Sequence, residues 1–166
     1  MIAQQVLDFA GMDEVWFLPN YGQIPPKPVA AVADRLAMVS LFRLDHTKVS
    51  TLEIDNTLDG DTIHLLPFLP QEHEFHFIIG SDQLPTLHLW GEWQTLLRTL
   101  PFLIFPRYGF PNEPLYENMR VVTSELLISS NLSSTKIRRR VHEGLSIDRF
   151  VPKEIAAYIE EHKLYR

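Results

Sequence analysis

The chain has 166 residues, a length that suits one domain burying about 70% of its unfolded surface. A hydrophobic share of 45% with 22% charged residues is that of a soluble globular protein, and the formal net charge of −6 argues against a broad nucleic-acid surface, which is usually basic. The absence of cysteine excludes a disulfide framework, a thiolate metal site and a catalytic thiol. No apolar run approaches the roughly 20 residues that span a bilayer. Met1 to Gln5 lacks the basic start and long apolar core of a signal peptide. The expectation is a cytoplasmic protein with neither membrane nor nucleic acid as partner.

In chain order, Ile2, Val6, Phe9 and Ala10 carry a helical spacing that Gly11 would cap. Residues 14–18 read as a short buried strand ending at Pro19, and 20–28 as a loop with Pro25, Pro26 and Pro28. Residues 31–44 suit an amphipathic helix with Asp34 in its first turn. Alternation over 49–54 predicts a strand. A short helix over 62–69 is disturbed by Pro67. Residues 75–79 give the strongest strand signal, closed by Gly80. Then come a helix over 93–100, an apolar strand over 102–105, a loop over 107–119 and strand candidates at 121–122 and 125–128. Helices over 134–143 and 152–162 follow, the second with Pro152 in its first turn.

Short strands alternating with helices of about ten residues predict an α/β fold, a Rossmann-like doubly wound parallel sheet with helices on both faces. The whole chain, 1–166, reads as one domain without repeats or linkers. Ligands of such sheets bind beyond the carboxyl ends of the strands, which directs attention to the loops over 19–28, 80–90, 107–110 and 129–135.

Ser133-Ser134-Thr135-Lys136-Ile137-Arg138 ends one such loop and opens a helix. The first N–H groups of a helix lack internal partners, and its dipole adds partial positive charge there. With hydroxyl donors and the cations of Lys136 and Arg138, these residues can form a phosphate cradle. They equally describe an ordinary N-cap. Arg138, Arg139 and Arg140 stand about 100° apart around the helix, so one or two of them can face a ligand. Gly80-Ser81-Asp82, followed by Trp90 and Trp93, is a second constellation. Gly80 permits close backbone approach, Asp82 accepts hydrogen bonds and a Trp offers a flat aromatic face. The alternative is that Asp82 caps a helix while the two Trp residues pack on one helix face. His73 and His76 flank a strand start, but no further ligand at metal spacing accompanies them, and the expectation is no metal site. There is no G-x-S-x-G elbow, Walker loop or G-x-G-x-x-G.

The Ser133–Arg138 segment resembles the S-S-T-x-I-R signature of bacterial nicotinate-mononucleotide adenylyltransferases, members of the HxGH nucleotidyltransferase superfamily. Arg140 to Ile147, Phe150-Val151-Pro152 and Ile155 to Ile159 are similar to that family's closing helices. Ile78-Ile79-Gly80-Ser81-Asp82 and Trp90 resemble its G-x-D strand end and downstream Trp, which implies that Trp90 stacks on the nicotinate ring. Asp13 to Pro19 with Pro25-Pro26-Lys27 resembles its second strand and P-P-H-K loop without the His, implying that Lys27 meets a phosphate. Phe105-Pro106-Arg107-Tyr108-Gly109 resembles its R-P-G turn, so that Arg107 would contact a phosphate or a carboxylate. Of the family's Tyr-Thr pair, Gly60-Asp61-Thr62 keeps only Thr62.

The family opens with a central strand and G-x-F-x-P-x-H-x-G-H, and its two histidines bind phosphates and stabilise charge on the reacting phosphate. No H-x-G-H or T-x-G-H occurs in these 166 residues, so no catalytic residue is assigned. Loss of a central strand should cost more than the roughly 5–15 kcal/mol that holds a domain together. The expectation is therefore that the start codon lies upstream. A genuine fragment, or a degenerate relative that lost catalysis, would lack the motif as well.

The implied function is adenylyl transfer from ATP to nicotinate mononucleotide, giving nicotinate adenine dinucleotide and pyrophosphate. Mg²⁺ would enter with ATP, bridging triphosphate oxygens with few protein ligands. Ser133, Ser134, Thr135 and Arg138 would hold ATP. Gly80, Asp82, Trp90, Lys27 and Arg107 would hold the pyridine mononucleotide. A transferase acting on nicotinamide mononucleotide or phosphopantetheine, or a non-catalytic nucleotide-binding module, is the alternative. A homo-oligomer is left open.

Overall fold

A computed structural model describes residues 1–23 and 28–166; Lys27, expected to meet a phosphate, lies outside the described residues. The elements run α1 (Ile2–Phe9), β1 (Val15–Phe17), α2 (Val32–Leu41), β2 (Thr47–Val49), α3 (Leu52–Asp55), α4 (Thr62–Leu65), β3 (Phe77–Gly80), α5 (Trp93–Thr99), β4 (Phe102–Phe105), β5 (Met119–Val121), α6 (Ser134–His142) and α7 (Lys153–Glu161). Two 3₁₀ segments, Leu66–Phe68 and Ser81–Leu89, extend α4 and follow β3.

Every strand pairing is parallel. β4 lies between β3 and β5, all four of its residues are buried, and its side chains alternate between two cores. Phe102 and Ile104 join Leu84, Leu87, Leu96 and Leu97 on one face. Leu103 and Phe105 join Ala3, Val6 and Ala10 of α1, with Val15 and Val122, on the other. Burial of both faces is why these strands read as continuous apolar runs rather than alternating ones. A third core, around Ile137, Ile147 and Ile159, packs α6 and α7 and reaches Met38 of α2.

The sheet is interrupted. β1 pairs with β2 only and β3 with β4 only, so the strands form a pair and a triplet rather than one continuous sheet. Between the two halves lies an opening of about 470 Å³, lined by residues 11–16, 72–78, Leu18, Leu65, Leu69, Leu100 and Leu103. Trp16 reaches across it and packs edge-on against His73 and Phe75, with ring centroids 5.3 and 5.1 Å away. His76, on its wall, has a buried Nδ1 with no partner among the described residues. The resemblance implies a central strand that these residues do not contain, and the interruption is central: two strands stand on one side, three on the other.

Several sequence expectations need correction. The strand expected over 49–54 is β2 at Thr47–Val49, after which Leu52–Asp55 turns into α3. The alternation there reflects a helical turn that buries Glu53. Residues 125–128 form no strand, and Leu126 and Ile128 are exposed. Trp90 and Trp93 do not share a helix: Trp90 ends the 3₁₀ segment, Glu92 takes a left-handed φ of 43°, and α5 starts at Trp93. Pro85 lies inside Ser81–Leu89 and donates no backbone hydrogen bond there. Pro152 is the N-cap of α7, just before its first turn.

Glu53 carries a pH-dependent cost. Burial pushes its carboxyl above the ordinary value of 4.5; the backbone N–H of Tyr21 partly offsets this, and Oε2 has no partner among the described residues. Below that value the group is protonated in both folded and unfolded chains. As pH rises through the raised folded value, stability is lost. Glu53→Gln should therefore gain in melting temperature relative to wild type as pH goes from about 4 to 7; a constant difference would contradict this.

The interruption makes a second prediction. Val15 donates its N–H to His46 on the β2 side, and Phe77 donates to Pro101 on the β4 side. Strand alternation then turns the N–H groups of Trp16 and Ile78 toward the opening. In hydrogen exchange these two amides should exchange at least about tenfold faster than those of Leu103 and Ile104.

Candidate functional site

The carboxyl ends of β3 and β4 are joined through Arg107. Its backbone N–H donates to Ser81 Oγ at 3.0 Å, and Ser81 is fully buried. Its guanidinium lies 3.4 Å from Asp82 Oδ1 and donates from Nη2 to the carbonyl oxygen of Leu132 at 2.7 Å. A Cβ at position 80 would stand 2.2 Å from Asp82 Oδ1 and 3.1 Å from Arg107 Cγ, so Gly80 is required by this packing. The carboxylate that Arg107 contacts is thus the protein's own. With its side chain only 13% exposed, Arg107 is not a free loop arginine.

Leu132 leads into α6. Ser133 takes an extended conformation as N-cap and its Oγ accepts from the backbone N–H of Lys136 at 3.3 Å. The capping role read in the sequence is therefore real. Ser133 and Ser134 also line a cavity of about 710 Å³ together with Arg35, Arg107, Arg138, Asn20, Gln23 and Tyr165. Cap and cavity wall are the same residues, and the N-terminus of α6 opens into the space. Of the three consecutive arginines only Arg138 belongs to the cavity, within the one or two that the 100° spacing allows. Arg139 pairs with Glu143 at 2.7 Å, and Arg140 donates to Ser146 O at 2.9 Å while covering the Phe150 ring. Thr135 is hydrogen-bonded by Arg138 at 3.3 Å but is not part of the lining.

Arg35 and Tyr165, also in the lining, were not singled out in the sequence. Arg35, in the first turn of α2, donates to the carbonyl oxygens of Ala30, Asn20 and Tyr21 and so ties residues 20–21 to the start of α2. Its only sequence signal is its place at a helix start just after a Pro-rich loop. Tyr165 is part-buried; burial raises its phenol pKa, the Arg138 charge pulls it down, and the Ala30 backbone bonds to it. An isolated aromatic near the chain end carries no motif.

Trp90, Gly80 and Asp82 do not line this cavity. Trp90 is half-buried, edge-on to Phe77 at 6.1 Å, and packs on the core under β3. Trp93 packs instead against Tyr116 at 5.2 Å. Among the described residues, Asp82 and Gly80 connect to the cavity through Arg107. The sequence-selected residues thus form two neighbouring groups, one on the polar wall of a largely apolar cavity at α6 and one at the Gly–Ser–Asp turn with Trp90 after β3. Arg107 touches both.

The chain matches the cytidylyltransferase-like family over residues 1–140. It is 34% identical over 172 residues to a probable nicotinate-nucleotide adenylyltransferase of Lactiplantibacillus plantarum, covering 99% of this chain and 80% of that protein. Its identity to the similarly named Geobacillus thermodenitrificans protein is also 34%, covering 99% and 78%. Among solved structures it is similar to Plasmodium falciparum nicotinic acid mononucleotide adenylyltransferase complexed with NaAD, at a TM-score of 0.82 and 18% identity, covering 99% of this chain and 88% of that one. No helix among the described residues is long and apolar enough to cross a membrane. A cytidylyltransferase-like match over most of the chain and relatives a third identical along its length place it in the nicotinate-nucleotide adenylyltransferase family.

Proposed function

We propose that the protein transfers the adenylyl group of ATP to nicotinate mononucleotide, giving nicotinate adenine dinucleotide and pyrophosphate. The observation that carries this reading is the cavity at α6, where three arginines and a capped helix N-terminus converge on one space. Unpaired backbone N–H groups, the helix dipole and guanidinium groups all favour a polyanion, and Arg presents paired donors suited to phosphate oxygens. Arg138, which donates to Thr135 Oγ1 at 3.3 Å, would turn toward a triphosphate, with Ser134 and Thr135 as hydroxyl donors beside it. Ser133 orders the helix start through its cap.

Nicotinate mononucleotide would sit against Trp90 and the Gly80–Asp82 turn. Its phosphate would reach the α-phosphate of ATP from the Arg107 side, and the Pro-rich loop with Lys27 would supply a further cation. In-line attack by a phosphate oxygen on the α-phosphate forms the new P–O–P bond and expels pyrophosphate. The protein's part is to align the groups and offset negative charge. Mg²⁺ accompanies ATP as part of the substrate. The cavity lining among the described residues contains no carboxylate, so Mg²⁺ gains no acidic ligand there and no step is assigned to it. The protein acts in the cytoplasm.

The reading is tested by pyrophosphate release from ATP plus nicotinate mononucleotide. It is measured for this chain and for a form extended through the in-frame upstream codons, with nicotinamide mononucleotide and phosphopantetheine as alternative acceptors. Release with nicotinate mononucleotide in either form supports it. Silence in both, with ATP still bound, would indicate a non-catalytic nucleotide-binding module.

Two substitutions separate the subsites. Arg138→Ala should weaken ATP binding about tenfold or more, because a charge-assisted hydrogen bond contributes roughly 1.5–3 kcal/mol. Trp90→Ala should weaken nicotinate mononucleotide binding by about tenfold and leave ATP binding within twofold, since ring stacking contributes roughly 1–3 kcal/mol. Calorimetric titration reads both; a Trp90→Ala variant with unchanged nicotinate mononucleotide affinity would remove the stacking role.

A further inference from the structure

Among the described residues, the buried polar side chains are those of Gln5, Ser50, Glu53 and Ser81. Gln5 lies on α1, outside every motif, and its amide is engaged on both sides by one distant residue. Nε2 donates to the carbonyl oxygen of Ile128 at 3.0 Å, and Oε1 accepts from the Ile128 N–H at 2.5 Å. One side chain thus satisfies both backbone groups of a residue, as a neighbouring strand would. A side-chain amide carries donor and acceptor side by side, whereas an ionised carboxylate only accepts. The Ile128 side chain is 65% exposed, so its own burial does not hold this stretch. Residues 122–133 join β5 to α6 without helix or strand. Leu127 and Leu132 pack against the second and third cores. Toward α6, the Leu132 N–H donates to Ser130 Oγ at 3.3 Å, the Leu132 carbonyl oxygen accepts from Arg107, and Ser133 caps the helix. Ile2, one turn before Gln5 on the same side of α1, lines the cavity. Gln5 therefore grips the loop about one helical turn from the cavity wall.

We propose that Gln5 is a positioning residue for ATP: by holding both backbone groups of Ile128 it sets the path of residues 128–133, and with it the placement of the α6 N-terminus in the cavity. The proposal rests on the α6 cavity as the ATP site. Gln5 fixes this stretch at Ile128 and Arg107 fixes it at Leu132. With both points held, the Ser133 cap and the first N–H groups of α6 stand in place before a triphosphate arrives, and binding need not order the loop. Without the amide, the Ile128 groups turn to water and the loop samples more paths. ATP binding then has to overcome that added conformational entropy. Trp90 and the Gly80–Asp82 turn lie outside this loop, so affinity for the pyridine nucleotide does not depend on Gln5.

The test is calorimetric titration with ATP and with nicotinate mononucleotide for wild type, Gln5→Met and Gln5→Glu, with hydrogen exchange read at the Ile128 amide. Met matches Gln in length and removes both hydrogen bonds. In Gln5→Met, ATP binding should weaken about fivefold or more while nicotinate mononucleotide binding stays within about twofold. The Ile128 amide should exchange at least about tenfold faster. Gln5→Glu, equal in size, keeps an acceptor for the Ile128 N–H and should fall between the two. It carries the comparison if Gln5→Met does not melt cooperatively. An Ile128 amide that exchanges no faster overturns the proposal, as does unchanged ATP affinity in a variant whose Ile128 amide is freed. An equal loss of affinity for both nucleotides marks a general structural role and overturns it too. If wild type itself binds no ATP, the α6 cavity is not the ATP site, and that reading fails together with this one.

Discussion

The site depends on the tie that Arg107 makes between three segments. One side chain takes the Asp82 carboxylate after β3 and the Leu132 carbonyl before α6, while its backbone N–H is held by the buried Ser81 hydroxyl. An arginine suits this because its rigid planar fork serves two acceptors in different directions; a lysine is a single point charge. The arrangement also sets neighbouring residue identities. Gly80 has no room for a side chain, and Ser81 must be small and hydroxylated to occupy a fully buried position with a partner. The strand ends and the start of α6 are thereby fixed relative to one another before any ligand arrives. Such preorganisation is what a reaction dominated by alignment and charge compensation requires.

The parallel topology explains why the site lies at this end of the molecule. Strands run parallel within the pair and within the triplet, and the segments after β1 and β4 meet the N-terminus of α6 around one cavity. The sheet itself is two halves that share a core on the α1 face: Val15 of β1 and Leu103 and Phe105 of β4 meet the same helix. The opening between them is bridged by side chains, chiefly Trp16 with Phe75 and His73, and by no strand pairing.

Much of this was legible in the sequence. Continuous apolar runs such as 102–105 announced strands buried on both faces, and Gly11 and Gly80 marked true element ends. The Ser133–Arg138 segment placed a helix start and a cation on the same wall; the helical period limited the three arginines to one or two facing a ligand, and the resemblance pointed to Arg138. What escaped notice depended on distant parts of the chain. The apparent alternation over 49–54 was overridden by burial of Glu53 in a helical turn, a tertiary choice that local pattern does not encode. Arg35 and Tyr165 enter the cavity only because α2, α6 and α7 pack together. Gln5 meets Ile128 across 123 positions of sequence, and neither residue carries a motif of its own.

The central claim is that adenylate and pyridine portions of one dinucleotide lie on either side of Arg107. A crystal structure of the protein with nicotinate adenine dinucleotide tests it directly. The account predicts the adenylate in the cavity between Arg138 and the α6 N-terminus, with the nicotinate ring on Trp90 and the bridging phosphates near Arg107. A dinucleotide lodged elsewhere, with the α6 N-terminus and Trp90 both untouched, would contradict it.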